Sequence, residues 1–493
     1  MLVDARPWAK LNMYPLPSGE LAVRPGLRRL ATPSASRKFV GGFSVINPFT
    51  PEVWHYVFDV ATTAPLNLKL TIYDEDFVAW QTFTVGANVD PRVITYAVVA
   101  EQLLICSPDF PTIFGMVGSG VRLAVKVDPD TAALTALEVP RGIVTAWNNR
   151  AVIADGNFIY VSDAVADSGG DVRTFVAQNK NGLPGPVFGI HQAAGGALVA
   201  VTQAGVYGLD GSASAVDILD PQGTAWQKLN HHESFTFGSS CVVRGRVYGL
   251  TRKGYMLVDT ESEREEQLND PRLPRLYGPR IASEDWRLSG RMFAGDEGPY
   301  VASTGILSAH DLDDEVRSWW RCNVGSTFNA RGCLRTTDGD EMLICEDGIY
   351  LMTGNVDGGQ LLADAAATQP KGIMSGMVQT EPAQNPTVRE VQASASIGGV
   401  GLMYMAVRGN TDSATLTPVA DNRSLVIGTS SWGASGVVYQ NAPMASIRAQ
   451  FDLNTDEVAI EVGADFPSTK VSPAVNVEMS GSAQTRPVPR GNT

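Results

Sequence analysis

Residues 197–209 read Ala-Leu-Val-Ala-Val-Thr-Gln-Ala-Gly-Val-Tyr-Gly-Leu, which is two short apolar runs joined by a turn that ends in glycine. Runs rich in β-branched and aromatic residues that are closed by such a turn are typical of a β-hairpin. The same pattern recurs along the first 350 residues and predicts an all-β chain built from hairpins. The further hairpins are predicted within residues 70–80, 103–114, 150–161, 241–258, 300–307 and 342–351.

The hairpins recur at a nearly constant distance. Corresponding positions in them are separated by 45, 48, 49, 50 and 43 residues. Four short strands with their turns fill about 40 to 50 residues, which is the length of one blade of a β-propeller. The spacing therefore predicts a propeller of about six or seven blades, although evenly spaced hairpins in a series of β-sandwiches would give a similar pattern. The positions compared are Phe114, Ile159, Tyr207, Met256, Ile306 and Ile349.

A second region begins after residue 354. Residues 447–452 and 458–462 alternate apolar and polar side chains, as half-buried antiparallel strands do, and residues 388–397 and 402–407 add two further strands. We expect them to form a C-terminal antiparallel β-sandwich-like domain. The predicted organisation is an N-terminal extended segment with the first strands (1–60), the propeller (61–354), a connector (355–386), the sandwich (387–481) and a mobile tail (482–493).

The composition excludes several classes of protein. Hydrophobic residues make up 44% of the 493 residues and charged residues 18%, which does not fit extended disorder or a coiled coil. The chain carries 38 basic and 52 acidic residues, a formal charge of −14. Tight wrapping of nucleic acid or docking to an anionic membrane requires the opposite sign over the contact face. Both functions are therefore disfavoured.

The five cysteines are spread along the chain, which does not fit the disulfide framework of a small secreted protein. The N-terminal residues also lack the apolar core of a signal peptide. Synthesis in a reducing cytoplasm is expected. Residues 181–209 are uncharged and long enough to cross a bilayer, but seven glycines and two prolines make a membrane span improbable there, since lipid cannot satisfy turn-rich backbone. No membrane span is predicted.

The sequence contains no arrangement of residues that indicates catalysis, so we predict no catalytic, cofactor-binding or metal-binding residues, no cofactor and no enzymatic activity. His231-His232-Glu233 groups metal-capable side chains, but neighbours on a strand point to opposite faces and a solvated loop explains them better. Cys322, Cys333 and Cys345 match no zinc-ribbon spacing and are expected to fill core. Trp319-Trp320 is expected to pack in the last strand of a blade.

Clusters of carboxylates suggest one enzymatic alternative, a glycosidase. Glycosidases need two carboxylates about 5 to 10 Å apart, and several propellers host them. Each acidic cluster of this chain lies where the strand pattern calls for a turn, so solvated turns explain them better. The clusters are Asp74-Glu75-Asp76, residues 311–315 and residues 338–341.

The order of several short motifs resembles the packaged-DNA stabilisation proteins of short-tailed bacteriophages, which form the tail hub or nozzle. The resemblance spans nearly the whole chain, but each motif is short, and the chain departs from the family in a tail beyond Ser480 and at Arg287-Leu288. The motifs are Leu11-Asn-Met-Tyr-Pro15, Arg24-Pro-Gly-Leu27, Gly189-Ile-His-Gln192, Gly205-Val-Tyr-Gly-Leu209, Ser318-Trp-Trp-Arg-Cys322, Arg331-Gly-Cys333, residues 344–351 and Asn476-Val-Glu-Met-Ser480.

This resemblance implies a structural virion protein of the viral tail that is assembled in the host bacterial cytoplasm. It would be a homo-oligomer, a hexamer, forming the nozzle or hub ring that closes the portal channel, retains packaged double-stranded DNA and conducts it during genome ejection. Its implied partners are the portal adaptor ring, tail fibre, spike or needle proteins, and double-stranded DNA that passes without sequence-specific binding. We expect negative charge to line the bore, because it repels phosphate.

Three hypotheses are open on the sequence alone. In the first, the sandwich and the N-terminal segment of a nozzle subunit make the contacts within the ring and to the adaptor, since rings join two different patches on each copy. The second is a propeller glycosidase or lyase acting on host surface polysaccharide, with carboxylates at the propeller mouth. The third is a monomeric propeller scaffold that binds a protein partner.

Overall fold

The computed structural model describes the chain in segments. Side chains are described within residues 26–249 and 330–353, with short gaps, and at residues 293–294; elsewhere only the backbone of strands is described. The described ranges are 2–3, 9–11, 13–15, 21–23, 26–47, 50–127, 131, 133–165, 170–179, 183–219, 225–229, 235–251, 254–259, 264–267, 291–294, 299–303, 306–310, 319–323, 330–353, 371–379, 385–396, 403–409, 413–416, 444–454, 457–465 and 470–482.

Five short strands lie before residue 32, and all of them join sheets that contain strands from much later in the chain. They are β1 (Leu2–Val3), β2 (Ala9–Leu11), β3 (Met13–Pro15), β4 (Leu21–Val23) and β5 (Leu27–Ala31).

The next part of the chain forms consecutive four-stranded antiparallel sheets, here called blades 1 to 4. A separate two-stranded hairpin, β14 (Val125–Val127) with β15 (Leu134–Glu138), lies between blades 2 and 3. Blade 1 is β6 (Arg37–Ile46), β7 (Val53–Ala61), β8 (Leu68–Tyr73) and β9 (Ala79–Gly86); blade 2 is β10 (Thr95–Val99), β11 (Gln102–Ser107), β12 (Phe110–Met116) and β13 (Val121–Leu123); blade 3 is β16 (Ile143–Trp147), β17 (Arg150–Asp155), β18 (Phe158–Ser162) and β19 (Phe175–Asn179); blade 4 is β20 (Val187–Gln192), β21 (Leu198–Thr202), β22 (Gly205–Leu209) and β23 (Gln227–Lys228).

Three further blades follow, and the last takes its fourth strand from the N-terminus. Helix in the described residues is confined to a 3-10 turn at Ala194–Gly196 and to α1 (Ala215–Ile218). Blade 5 is β24 (Phe235–Val243), β25 (Arg246–Thr251), β26 (Gly254–Asp259) and β27 (Arg264–Gln267); blade 6 is β28 (Arg291–Ala294), β29 (Pro299–Ser303), β30 (Ile306–His310) and β31 (Trp319–Asn323); blade 7 is β32 (Ala330–Arg335), β33 (Glu341–Cys345), β34 (Gly348–Met352) and β5.

The blades are arranged around a ring, and the first strand of each blade is innermost. Strand β6 contacts β32, and the inner strands of blades 2 to 7 contact their neighbours in chain order. Blades 1 and 2 meet through the rings of Phe43 and Tyr96, whose centroids are 3.9 Å apart. The protein is therefore an all-β propeller, and seven blades are present among the described strands, the upper value of the predicted range.

The hydrophobic core lies between blades. One cluster joins Tyr56 and Phe58 of blade 1 to Phe110 and Ile113 of blade 2, and similar clusters fill the contacts between blades 2 and 3, 3 and 4, 4 and 5, and 7 and 1. Both faces of a blade are thus covered. This explains why the middle strands are continuous apolar runs instead of alternating ones.

Tight turns connect the strands where the backbone needs a left-handed conformation. Trp147 pairs with Arg150, so Asn148-Asn149 alone form the turn between β16 and β17, with φ of 44° and 57°. Asparagine tolerates this conformation, and it is the one that a two-residue hairpin turn requires.

The ring is closed by the N-terminal strand β5, which pairs antiparallel with β34 from Leu27↔Met352 to Ala31↔Ile349. Leu27 is 2% exposed. Residues more than 300 positions apart in the chain thus complete one blade, so the first and last parts of the propeller hold each other in place.

The C-terminal region forms two antiparallel sheets. One runs β3-β4-β41-β36-β39, with β1 also on β41, and the other runs β2-β35-β40-β37-β38. Strand β2 pairs with β35 on one side and with β31 of blade 6 on the other, so blade 6 and the second sheet are continuous. The C-terminal strands are β35 (Lys371–Gln379), β36 (Asn385–Ser396), β37 (Met403–Gly409), β38 (Ser413–Leu416), β39 (Met444–Asn454), β40 (Glu457–Asp465) and β41 (Lys470–Ser482).

Two segments differ from the organisation expected from the sequence. Residues 1–60, expected to form an N-terminal extended segment with the first strands, also contribute β5, β6 and β7 to propeller blades, because the repeated hairpin pattern that predicts the propeller begins only beyond residue 61. Strand β35 lies within the predicted connector, residues 355–386. The predicted tail, 482–493, lies outside the described residues except for Ser482.

Leu27→Ala should destabilise the propeller by about 2–5 kcal/mol, since it removes a fully buried side chain from the closing strand. Urea denaturation followed by tryptophan fluorescence measures the change. Leu137→Ala is the matched control: Leu137 is 64% exposed, and the expected change is within about 0.5 kcal/mol. Equal small effects would show that β5 does not stabilise the ring.

Candidate functional site

One concavity lined by described residues lies on the axis of the propeller. It has a volume of about 910 Å³ and is lined by the first strand of each of the seven blades or the residues just before it. A position where all blades converge is a common place for ligand sites, because loops and strand ends from many elements meet there. We therefore take this axial cavity as the candidate site.

The cavity is closed where the first strands begin. Gly238 in blade 5 and Val93 before blade 2 are on opposite sides of the ring, yet a Cβ atom at Gly238 would overlap Val93 Cγ2. Gly238 has φ of 65° and lies in an irregular part of β24, between the register positions Phe235 and Ser240. This bulge brings the backbone of blade 5 against Val93 across the ring, so the described residues leave no open passage at this level.

An aromatic wall lines the cavity beyond this constriction. The rings of Phe43 and Tyr96 stack at an interplanar angle of 9°, and Phe43 also stacks on Tyr56 at 5.2 Å. Tyr96 is 40% exposed to the cavity. Its enclosure raises the pKa of the Tyr96 phenol, and the charge of Arg335 offsets part of this rise. The phenol is a neutral hydrogen-bonding group beside a cation.

The charged side chains among the described lining residues are all arginines: Arg92, Arg244, Arg331 and Arg335. Arg331 forms an ion pair with Glu346, which also lies 3.8 Å from the Lys38 ammonium. No aspartate or glutamate is among the described lining residues. The described wall of the cavity is therefore basic, although the whole chain is acidic.

Two histidines near the inner strands are held neutral. His191 Nε2 lies 2.8 Å from Ser240 Oγ, and burial lowers the pKa of His191 to about 4. His55 Nδ1 lies 2.9 Å from Ser44 Oγ, and burial likewise lowers the pKa of His55 to about 4.

Ser44 connects the first and last blades. Its hydroxyl contacts His55 and also accepts a 2.8 Å hydrogen bond from the backbone N–H of Arg335. His55 is fully buried and its ring stacks on Phe77 at 4.9 Å. This small polar network lies behind the wall and fixes the position of Arg335.

The described acidic clusters lie in turns, as the strand pattern predicted, except for Glu341, which is the first residue of β33. Residues 74–76 form the turn between β8 and β9, and residues 338–340 lie in the turn between β32 and β33. The structure brings these two turns together, since Thr337 Oγ1 donates to the carboxylate of Glu75. The third cluster, 311–315, lies outside the described residues.

The remaining residues considered for chemistry do not gather at one place. Cys106, Cys241 and Cys345 are free and buried, Cys333 is free and partly buried, and the side chain of Cys322 is not described. Burial raises the pKa of the Cys345 thiol, which fits its expected role as core. His231-His232-Glu233 lies outside the described residues, and among those that are described no group of three suitable side chains could hold a metal ion.

The cavity residues were not identified in the sequence, because they follow no local motif. The six periodic positions all fall on the third strand of a blade, from β12 to β34. Reading back two strands from each position leads to the innermost strands. That step would have shown that Arg331 and Arg335 lie on one such strand, with Arg92 and Arg244 flanking two others.

Comparisons with known proteins give similarities of fold only. No family model and no curated protein matches the chain. Among solved structures, PorZ of Porphyromonas gingivalis is 13% identical to this chain, with 72% of this chain and 44% of PorZ covered and a TM-score of 0.39. YCF48 bound to D1 peptide is 14% identical, with 70% of this chain and 99% of YCF48 covered and a TM-score of 0.40. Streptogramin B lyase is 11% identical, with 66% of this chain and 97% of the lyase covered and a TM-score of 0.44. This chain spans less than half of the PorZ structure.

These structures are β-propellers of varied function, and at this level of similarity they indicate nothing about activity. Within the described part of the chain, no helix is long and apolar enough to cross a membrane.

Gly238→Ala should cost more stability than Gly156→Ala. Both glycines have a left-handed φ, 65° and 58°, but a methyl group at Gly156 would meet nothing within 4 Å. Gly156→Ala should therefore lower the free energy of unfolding by about 1–2 kcal/mol, which is the cost of placing alanine in a left-handed backbone conformation. Gly238→Ala should add about 1–3 kcal/mol of overpacking against Val93.

Adding Val93→Ala to the Gly238→Ala variant should restore most of the unfolding free energy that overpacking removes. A double-mutant cycle measured by urea denaturation tests this. Equal costs for the two glycine variants would contradict closure of the axis at this point.

Stability should fall as the pH is lowered from about 6.5 to about 4. His55 and His191 have folded pKa values near 4, below the unfolded value of 6.5, so the unfolded chain binds more protons in this range. His55→Asn and His191→Gln, which keep a polar atom near the hydrogen-bonding nitrogen, should each flatten the dependence of Tm on pH between 4 and 6.5. Unchanged slopes would contradict the buried neutral state.

Proposed function

We propose that this chain is a structural virion protein that forms the tail nozzle or hub ring of a short-tailed bacteriophage. In this role it closes the portal channel, retains packaged double-stranded DNA and conducts it during ejection. The proposal rests on the order of motifs along the chain, from Leu11-Asn-Met-Tyr-Pro15 to Asn476-Val-Glu-Met-Ser480. The fold by itself is compatible with many functions.

The physical argument for the proposal is that the axis of the propeller is closed at Val93 and Gly238. Val93 and Gly238 meet across the ring, so a DNA duplex cannot pass along the axis of one propeller. A genome path must therefore be formed between several copies of the chain. A closed ring of identical subunits provides such a path, and each subunit then contributes two different patches to its neighbours.

The charge of the chain suits a conduit. The chain has a formal charge of −14, and a bore lined by negative charge would repel phosphate and let DNA slide with little friction. The basic wall of the axial cavity does not bear on this expectation, because that cavity lies inside one subunit and is separate from the proposed bore.

The N-terminal segment suits a mechanical role in the ring. Strand β2 joins blade 6 to a C-terminal sheet, and β1, β3 and β4 extend the other C-terminal sheet. We propose that this joined unit makes the contacts to neighbouring subunits and to the portal adaptor, while the propeller body lies farther out. Tail fibre, spike or needle proteins would bind its distal surface.

The glycosidase or lyase alternative has less support. The described wall of the cavity has no carboxylate, whereas glycoside hydrolysis needs a pair of them. The acidic turns around Glu75 and Asp338 adjoin on the surface, but they lie apart from the described aromatic wall.

Sedimentation of the purified full-length protein should give a hexamer. A variant lacking residues 1–23 should be monomeric while its propeller stays folded, because it retains β5 and loses β1 to β4. Thermal unfolding monitored by circular dichroism checks the fold. A longer deletion that also removes β5 is unsuitable, since it would open the ring of blades.

Persistent hexamers after the deletion would refute the role of the segment, and a monomeric full-length protein would refute the nozzle proposal. Duplex DNA titrated onto the hexamer at physiological salt should show no saturable binding.

A further inference from the structure

We propose that the axial cavity of each propeller binds a small planar heterocycle of the nucleobase class, an adenine ring, which stacks on Tyr96 and is recognised at its edge by Gln192. This inference is independent of the nozzle proposal, since it concerns a cavity inside a single subunit. The ligand would be a nucleoside or a small compound that carries the same ring.

Tyr96 presents an aromatic surface to the cavity. The ring of Phe43 covers one of its faces, with 3.9 Å between the ring centroids, and Phe43 is itself buried. Tyr96 is nevertheless 40% exposed, so the exposed area belongs to its other face and to its edge. Within the described part of the chain, no second ring stacks on Tyr96. A planar heterocycle stacks favourably on such a face.

Gln192 supplies a neutral polar group that can recognise the edge of the ring. It is the last residue of β20, it lines the cavity and it is exposed. Its side-chain amide has no hydrogen-bond partner among the described residues. A free amide has one acceptor oxygen and two N–H donors, which match N6 and N7 of adenine in two hydrogen bonds. A 6-oxopurine presents two acceptors at the same edge and therefore fits less well.

Two neighbouring polar side chains are already engaged with each other. His191 and Ser240 also line the cavity, but 2.8 Å separates His191 Nε2 from Ser240 Oγ. Gly189 permits this approach, since a Cβ atom there would overlap Ser240 Oγ. We therefore assign recognition of the ring edge to Gln192. Tyr96 lies on β10 and Gln192 ends β20, and only β16 lies between these inner strands, so one small ligand can contact both residues.

The size of the cavity selects small ligands. Ligand pockets commonly measure about 300–1,000 Å³, and the 910 Å³ here would hold a nucleoside. The contact between blades 2 and 5 at Val93 and Gly238 closes one end of the cavity. A compact ligand therefore fits this site better than an extended polymer, which would have to continue along the axis.

Isothermal titration of the full-length protein with adenosine, inosine and ribose tests the proposal. Adenosine should bind once per subunit, inosine should bind more weakly, and ribose should not bind detectably. Tyr96→Leu should weaken the binding of adenosine by about fivefold or more, as expected for the loss of a stacking surface. Gln192→Leu should weaken the binding of adenosine by a similar factor and remove the preference for adenosine over inosine.

Phe158→Leu and Gln227→Leu are the matched controls and should leave the affinity unchanged. Phe158 is 39% exposed, Gln227 is an exposed glutamine of blade 4, and neither is among the described lining residues. Gln192 is exposed, so its variant should fold even if Tyr96→Leu does not, and thermal unfolding checks both.

The proposal would be overturned by the absence of adenosine binding to the unmodified protein or by ribose binding as tight as that of adenosine. An unchanged preference for adenosine over inosine in Gln192→Leu, or equal losses of affinity in Gln192→Leu and Gln227→Leu, would also overturn it.

Discussion

The pairing of β5 with β34 is the constraint on which the rest of the architecture depends. A ring of blades has two free ends, and each would expose an unpaired strand edge and an uncovered apolar face. Placing Leu27–Ala31 beside Gly348–Met352 completes blade 7, so that this blade can pack between blades 6 and 1. The inner strands then converge on one axis, and the arginines on them share one cavity.

The same N-terminal segment joins the two parts of the molecule. Strands β1, β2 and β4 pair with C-terminal strands, and β3 pairs with β4; β2 also pairs with blade 6, and β5 closes the propeller. Fewer than 35 residues thus connect sheets that are distant in sequence, so a load on the C-terminal sheets is transmitted through backbone hydrogen bonds to two blades. Such coupling would suit the proposed role of a ring subunit that retains packaged DNA.

The sequence predicted the hairpins well because each depends on local chemistry: apolar runs, and glycine or asparagine at turns such as Asn148-Asn149. The blade spacing was also visible, since it repeats. The closing strand was not predicted, because Leu27-Arg-Arg-Leu-Ala31 has no local feature that indicates which distant strand it pairs with. The axial cavity was missed for the same reason, as Val93 and Gly238 meet only after seven blades have closed.

If the chain forms the proposed nozzle, each propeller is closed along its own axis at Val93 and Gly238, and the passage for DNA lies between subunits. An electron cryo-microscopy reconstruction of the assembled full-length protein tests it most directly. It should show six seven-bladed propellers around an acidic bore wide enough for a duplex, with density for Val93 against Gly238 in every subunit. A single-subunit particle, or an open axis wide enough for DNA within one propeller, would contradict the claim.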